Sequence, residues 1–277
     1  PIEMEVQKKL NLEDPQQIDE YGIAKFNEAC RTQVQTNTEN WERITRKIGR
    51  WVDFENDYKT MDIDFMESVW WVFKELWEKD LIYQDYKVLP YSWAASTPLS
   101  NFEANMDYRD VEDPSIYFTL EAREDFKKVI KGDRFLIWTT TPWCIPANLA
   151  IAIGKNIYYS RVKIENSNYW IATERISELD DYVIEVIEEC IGSELVGATY
   201  IPAYSEYEHF YKDGAFRLIY SDDTNTESGS GLVSQAPAYG ESDFYALKNA
   251  GIEVISDPVT LSGKFDSTFT ELENLNV

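Results

Sequence analysis

Trp138-Thr139-Thr140-Thr141-Pro142-Trp143 reads as the end of a β-strand that runs out into three hydroxyls and stops at a proline. The preceding run from Phe135 is β-branched and aromatic, the composition of a half-buried strand, and Pro142 cannot continue a ladder. Three threonines at one strand terminus place several hydroxyls and free backbone N–H groups side by side, which suits recognition of a ribose or an ester carbonyl. A threonine-rich strand edge requires no such purpose. The stretch gains chemical meaning from a second one, Gly229-Ser230-Gly231-Leu232-Val233-Ser234-Gln235-Ala236-Pro237, which runs on through Gly240-Glu241-Ser242-Asp243. Its glycines let the backbone approach another group closely, and the loop after Gln235 delivers Asp243 to a helix start, where a carboxylate complements the helix dipole.

Outward from these two stretches the pattern is that of a β-rich domain. Ile116 to Leu120, Phe135 to Thr140, Leu149 to Ile153, Ile157 to Ile164, Tyr169 to Thr173, Phe216 to Tyr220 and Gly231 to Gln235 are short β-branched or aromatic runs separated by polar turns. Helices are expected at Glu174 to Glu189 and at Glu241 to Ala250. A domain boundary is expected at Asp110 to Ser115, an acidic, turn-forming segment containing Pro114. The N-terminal part reads as helical: Asp19 to Gln35, then a helix through Ile48 capped by Asn37 or Thr38, then Asp62 to Lys79 with Asp62 as cap. In the last of these Phe65, Met66, Val69, Trp70, Phe73, Leu76 and Trp77 form one broad apolar face, so Trp70, Trp71 and Trp77 are expected in a core or a domain contact. Pro90 and Pro98 rule out a continuous helix between Tyr83 and Glu103.

Composition narrows the function classes. The 277 residues are 44% hydrophobic and 14% aromatic, enough for two packed domains. No apolar run approaches the roughly 18 residues of a membrane span, and Pro1-Ile2-Glu3-Met4-Glu5 lacks the basic flank and apolar stretch of a signal peptide, so a cytoplasmic protein is expected. Cys30, Cys144 and Cys190 are isolated and odd in number, which gives neither a disulfide framework nor a zinc site, and no metal is expected. A formal charge of −24 repels phosphate backbones and argues against this chain carrying the main nucleic-acid-binding surface. His209, the single histidine, lies in a tyrosine-rich stretch with no serine or cysteine nucleophile in its context, and Cys144 between Trp143 and Ile145 reads as a small semi-buried side chain. No dinucleotide or phosphate-loop glycine pattern occurs.

The threonine stretch, the run Pro146-Ala147-Asn148-Leu149-Ala150 and the Gly231 to Asp243 stretch together resemble the hydrolytic editing pocket of the isoleucyl-tRNA synthetases. The resemblance extends over essentially the whole chain. Gly49 to Met61, Phe65 to Lys74 and Thr97 to Glu103 are similar to the catalytic domain of the archaeal and eukaryotic-type members, and the sequence after the paired threonines separates the chain from valyl and leucyl relatives, which typically carry arginine there. The implied fold class is α/β: a partial class I, Rossmann-type catalytic domain, mostly helical in this segment, over 1–114, followed by a β-rich α/β editing domain over 115–277, incomplete at its C-terminus. The resemblance implies that Thr139, Thr140 and Thr141 line the ester and terminal-adenosine side, that Trp138 and Asn148 contribute to substrate binding, Asn148 also supporting the strand, and that Asp243 holds the α-ammonium of a misattached valyl group. The implied partners are the acceptor end of tRNA(Ile), isoleucine, valine and the remaining parts of a synthetase chain, with ATP as cofactor of the full-length enzyme. Neither the His-Ile-Gly-His nor the Lys-Met-Ser-Lys-Ser type of signature occurs here, so a fragment is expected, with a free-standing relative that binds tRNA ends without catalysis as the alternative. One position departs from the family pattern: Ser234 stands where histidine is usual, and serine is shorter and cannot become cationic near neutral pH.

Overall fold

The computed structural model describes residues 2–12, 15–36, 38–179, 182 and 184–277. Two compact units divide at Asp85 and Tyr86.

The N-terminal unit is helical: α1 Ile2–Leu10, α2 Pro15–Tyr21, α3 Ile23–Gln35, α4 Thr38–Lys47 and α5 Ile63–Trp77. Gly22, at φ 102°, separates α2 from α3 where the sequence periodicity suggests one helix. Val6 and Phe26 are buried, and Gln33 Nε2 donates to Glu5 Oε1 at 2.8 Å across α1 and α3. Asn37, one of the two expected caps of α4, lies outside the described residues. Asp62 occupies the N-cap position of α5, but its carboxylate accepts the Lys59 N–H at 3.2 Å and makes no capping bond to the helix. No residue of α5 is buried: Trp70, Trp71 and Trp77 are 67%, 62% and 58% exposed, so the apolar stripe finds no cover among the described residues.

The unit from Tyr86 is mixed α/β. A short hairpin, β1 Tyr91–Ser92 with β2 Thr97–Pro98, leads into α6 Asn101–Ala104, whose start is fixed by a capping box between Ser100 and Glu103. There follow β3 Ile116–Glu121, β4 Arg134–Thr139, β5 Ala150–Ile153, β6 Tyr158–Ile164, β7 Ser167–Ala172, β8 Ile184–Ile191, β9 Arg217–Tyr220, β10 Leu232–Gln235 and α7 Glu241–Asn249. They form a five-stranded sheet in the order β3-β4-β7-β6-β8, antiparallel except for β4 with β7, and a three-stranded sheet in the order β10-β5-β9, where β5 runs parallel to β9 and antiparallel to β10. All four residues of β5 are wholly buried, and they share a core with Phe135, Ile137, Trp170, Leu218 and Leu232.

One expected helix is corrected. Thr173–Leu179 is a 3-10 turn, and Ile184–Ile191 is a strand rather than the second half of a helix from Glu174. Ile184, Val186, Ile187 and Ile191 are β-branched, and the antiparallel partner β6 is available. Glu185, Glu188 and Glu189 stand on this outer strand, where charge discourages further edge pairing. Among the described residues no helix is long and apolar enough to cross a membrane, and no group of three or more His, Cys, Asp or Glu is placed to hold a metal ion.

The wide sheet is anchored by a buried carboxylate just before β4. Asp133 Oδ1 accepts from Arg161 Nε and Nη2 at 3.1 and 2.7 Å and from Asn168 Nδ2 at 3.3 Å, while Oδ2 accepts from Trp170 Nε1 at 3.1 Å and the Ile130 N–H at 3.0 Å. The pair is nearly inaccessible, with Asp133 and Arg161 side chains 1% and 9% exposed. Breaking such a pair strands a buried cation. Asp133→Ala is therefore expected to lower unfolding free energy by about 3–5 kcal/mol in urea titration; a loss under about 1 kcal/mol would show that water reaches Arg161 easily.

Candidate functional site

The site is made where the two sheets approach each other. β4 ends at Thr139, and the Thr139 hydroxyl accepts the Thr141 N–H at 3.1 Å and lies 3.3 Å from the Thr141 hydroxyl, so the chain turns before Pro142 begins a 3-10 helix through Ala147. On the facing side Gly229, Ser230 and Gly231 lead into β10. Gly229 has φ 67°, and a side chain there would come within 2.8 Å of the Trp138 ring; Gly231 has φ 74°, and its Cβ would fall 2.4 Å from the Ala172 methyl. Hydrogen bonds hold this close approach: the Ala172 N–H donates to Ser230 O at 2.9 Å, the Tyr159 hydroxyl donates to Gly231 O at 2.8 Å, and Arg175 Nε donates to Gly229 O at 2.9 Å.

The result is a concavity of about 380 Å³ whose lining includes Trp138, Thr139, Thr140, Thr141, Ser234 and Asp243. Six of the seven residues singled out in the sequence thus surround one space. The seventh, Asn148, is buried behind it, where Nδ2 donates to Ala150 O at 2.8 Å and to Ser234 Oγ at 2.9 Å. The pairing of β10 with β5 sets Ser234 opposite Ile151.

Asp243 sits in the first turn of α7, half-buried, with Oδ2 accepting the Ala236 N–H at 2.8 Å and Oδ1 accepting the Ser242 hydroxyl at 3.3 Å. Gly240 permits this fold-back, since a side chain there would collide with the carboxylate at 2.7 Å. Burial pushes the Asp243 carboxyl above its ordinary value and nearby Asp223 adds to the rise; the hydrogen bonds it accepts oppose them. Among the described lining residues there is no lysine or arginine, so the cavity holds acid without a countercharge. Burial likewise pushes the Cys144 thiol up to about 11, which keeps it protonated and a poor nucleophile. His209 is exposed, with Nδ1 3.0 Å from Glu206 O and its ring against Tyr207 and Phe210.

Sequence reasoning did not single out Asp223, Asn225 or Tyr239 as lining residues. Tyr239 could have been suspected from its place in the loop before Gly240; it meets Trp143 edge-on at 5.0 Å and donates its hydroxyl to Asp257 Oδ1 at 3.1 Å. Asp223 belongs to a polar turn after β9 that has no local signature.

Residues 1–221 match the family model for "tRNA synthetases class I (I, L, M and V)". The chain belongs to the class I tRNA synthetases. Its relatives include the isoleucine–tRNA ligases of Protochlamydia amoebophila, 42% identical over 281 aligned residues covering all of this chain and 26% of that one, and of Bdellovibrio bacteriovorus, 44% identical over 96% of this chain and 25% of that one. The ligase of Mycobacterium leprae is 40% identical over all of this chain and 26% of that one. This synthetase chain therefore spans about a quarter of the length of the curated relatives it matches. A solved structure titled "The crystal structure of GlLeuRS-CP1" superposes with a TM-score of 0.42 at 15% identity, over 49% of this chain and 60% of that one, too distant for an argument from fold.

The raised Asp243 value has a measurable consequence. The folded synthetase holds that proton more tightly than the unfolded chain does, so the contribution to stability is present below the ordinary value of 3.8 and is lost as pH rises through the higher folded value. Asp243→Asn should make the urea midpoint fall less than in the parent as pH is raised from 3.8 toward neutral. Equal falls in parent and variant would show that the carboxylate is already compensated.

Proposed function

We propose that this chain is a segment of an isoleucine–tRNA ligase, with part of the class I catalytic domain over 1–114 and editing domain over 115–277, and that its concavity hydrolyses valyl-tRNA(Ile). The observation that carries the reading is the meeting of two sequence-distant stretches, the threonine turn and the Gly231 to Asp243 stretch, around one cavity that contains carboxylates and no cation. Pro-Ala-Asn-Leu-Ala at 146–150 joins the 3-10 helix after the threonines to β5, the strand that pairs with β10.

The chemistry needs such a site because one methylene gives a binding pocket only about 1–3 kcal/mol, and for isoleucine against valine in this class of enzyme the known ratio is about 150. A second cavity that admits the smaller side chain can remove the wrong ester. In the proposed reaction a water oxygen attacks the ester carbonyl, the bond to the ribose oxygen breaks, that oxygen takes a proton, and free valine leaves. Asp243 would pair with the α-ammonium, a countercharge the half-buried carboxylate otherwise lacks, and so set the register of the ester against the threonine hydroxyls. Thr139, Thr140 and Thr141 would face the ester and terminal adenosine, with Trp138 at the edge of that side. The full-length enzyme would use ATP to activate isoleucine; neither nucleotide signature occurs in this chain, so that step belongs to other parts of the protein. With a charge of −24, binding of the tRNA backbone is also assigned largely elsewhere, and the acceptor end alone to this cavity.

Ser234 offers a neutral hydroxyl where the family pattern has histidine, a weaker means of positioning water. Deacylation of valyl-tRNA(Ile) by the full-length protein tests the reading. Ser234→His is expected to raise the hydrolytic rate, and Asp243→Ala to lower it or to abolish discrimination against isoleucyl-tRNA. A parent that hydrolyses no valyl ester, with Ser234→His equally inert, would favour a segment that binds tRNA ends without catalysis.

A further inference from the structure

Tyr200 is wholly buried, lines no part of the cavity, and donates its hydroxyl to Asn148 Oδ1 at 2.6 Å. Asn148 in turn donates through Nδ2 to two oxygens, Ala150 O at 2.8 Å and Ser234 Oγ at 2.9 Å. The direction of every hydrogen in this chain follows from what each group can do. A backbone carbonyl only accepts, so the amide nitrogen of Asn148 must face Ala150, and its oxygen must face Tyr200. An amide oxygen only accepts, so the Tyr200 hydroxyl must donate; burial raises its pKa well above the ordinary value and keeps the proton in place. The second amide hydrogen then goes to Ser234 Oγ, which uses one lone pair to receive it. No described protein group accepts the hydrogen of Ser234 itself, and the serine stands in the cavity wall.

We infer that Tyr200 is a positioning residue: through Asn148 it fixes the Ser234 hydroxyl as a hydrogen-bond donor directed into the cavity, toward an oxygen of the bound aminoacyl ester. The relay rests on the editing reading for its substrate but not for its geometry. A serine free to rotate would spend part of its time donating back to the protein. The Asn148 N–H occupies one lone pair of Ser234 Oγ, so the serine hydrogen points away from Asn148, where no described protein group accepts it. Tyr200 also packs edge-on against Phe216, with centroids 5.9 Å apart, so the ring and the hydroxyl have separable roles and Tyr200→Phe removes only the second.

Two measurements test this. The first is a neutron diffraction map of the deuterium-exchanged protein, which needs no activity: the deuteron on Ser234 is expected to point into the cavity, with both Asn148 deuterons on Ala150 O and Ser234 Oγ. A Ser234 deuteron aimed at Asn148 overturns the inference. The second is steady-state deacylation of valyl-tRNA(Ile) by the full-length protein carrying Tyr200→Phe, Ser234→Ala or both. Tyr200→Phe is expected to lower kcat roughly tenfold with KM changed less than about twofold, and to have no further effect once Ser234→Ala has removed the hydroxyl it positions. Equal losses in both backgrounds would mean that Tyr200 supports only the core, and the inference fails. If the parent does not deacylate the substrate, the editing reading fails by itself and the neutron map alone decides the relay; the same map decides it if Tyr200→Phe does not fold.

Discussion

The two sheets of the β-rich unit come together at a point where no side chain fits. Gly231, at φ 74°, presses its backbone against the Ala172 methyl, and a Cβ there would lie 2.4 Å from it. Everything that defines the cavity is referred to this contact. On one side β7 is parallel to β4, which carries the threonines; on the other, β10 carries Ser234 and the loop to Asp243. Tyr159, Arg175 and the Ala172 N–H each bond a carbonyl or oxygen of the Gly229 to Gly231 loop, so the approach is locked by polar contacts as well as permitted by the missing side chains. A glycine at such a position cannot be replaced cheaply, because the conformation and the space both exclude a side chain.

In the proposed reading, charge gives the cavity its selectivity. A protein with 50 acidic and 26 basic side chains repels a polyanion, yet a carboxylate partly removed from water attracts an ammonium more strongly than a surface one does. Asp243 has its carboxyl raised by burial and by Asp223, and no lining lysine or arginine compensates it. A ligand that brings its own cation close to Asp243 and its neutral ester toward Thr139 to Thr141 matches that distribution. Phosphates do not, in keeping with the proposal that only the esterified end of a tRNA meets this wall.

Much of this was legible in the sequence because the relevant signals are local. β-branched runs mark β3 to β7, β9 and β10 within a residue or two, Pro142 stops β4, and Gly240 with acidic residues beyond it marks the start of α7. Trp138, the threonines, Ser234 and Asp243 could be grouped in advance only because their two stretches resemble one family's motifs; no spacing rule links positions that tertiary packing alone brings together. The failures have physical causes. Glu174 to Glu189 is expected to be helical, but the available edge of β6 makes Ile184–Ile191 a strand. Asp133, Arg161 and Trp170 each look ordinary in sequence, and their mutual burial depends on three separate elements meeting. Tyr200 gave no sign of its link to Ser234, since the connection passes through the side chain of Asn148, which sequence reading had assigned to substrate binding and to supporting a strand.

The most direct measurement is a crystal structure of the full-length protein with a valyl-adenosine in which an amide replaces the hydrolysable ester. The valyl ammonium should lie about 3 Å from the Asp243 carboxylate, with the amide group lying between Thr139 to Thr141 and the Ser234 hydroxyl. A ligand bound outside this concavity, or one whose ammonium faces solvent while Asp243 remains unpaired, would contradict the assignment of the cavity.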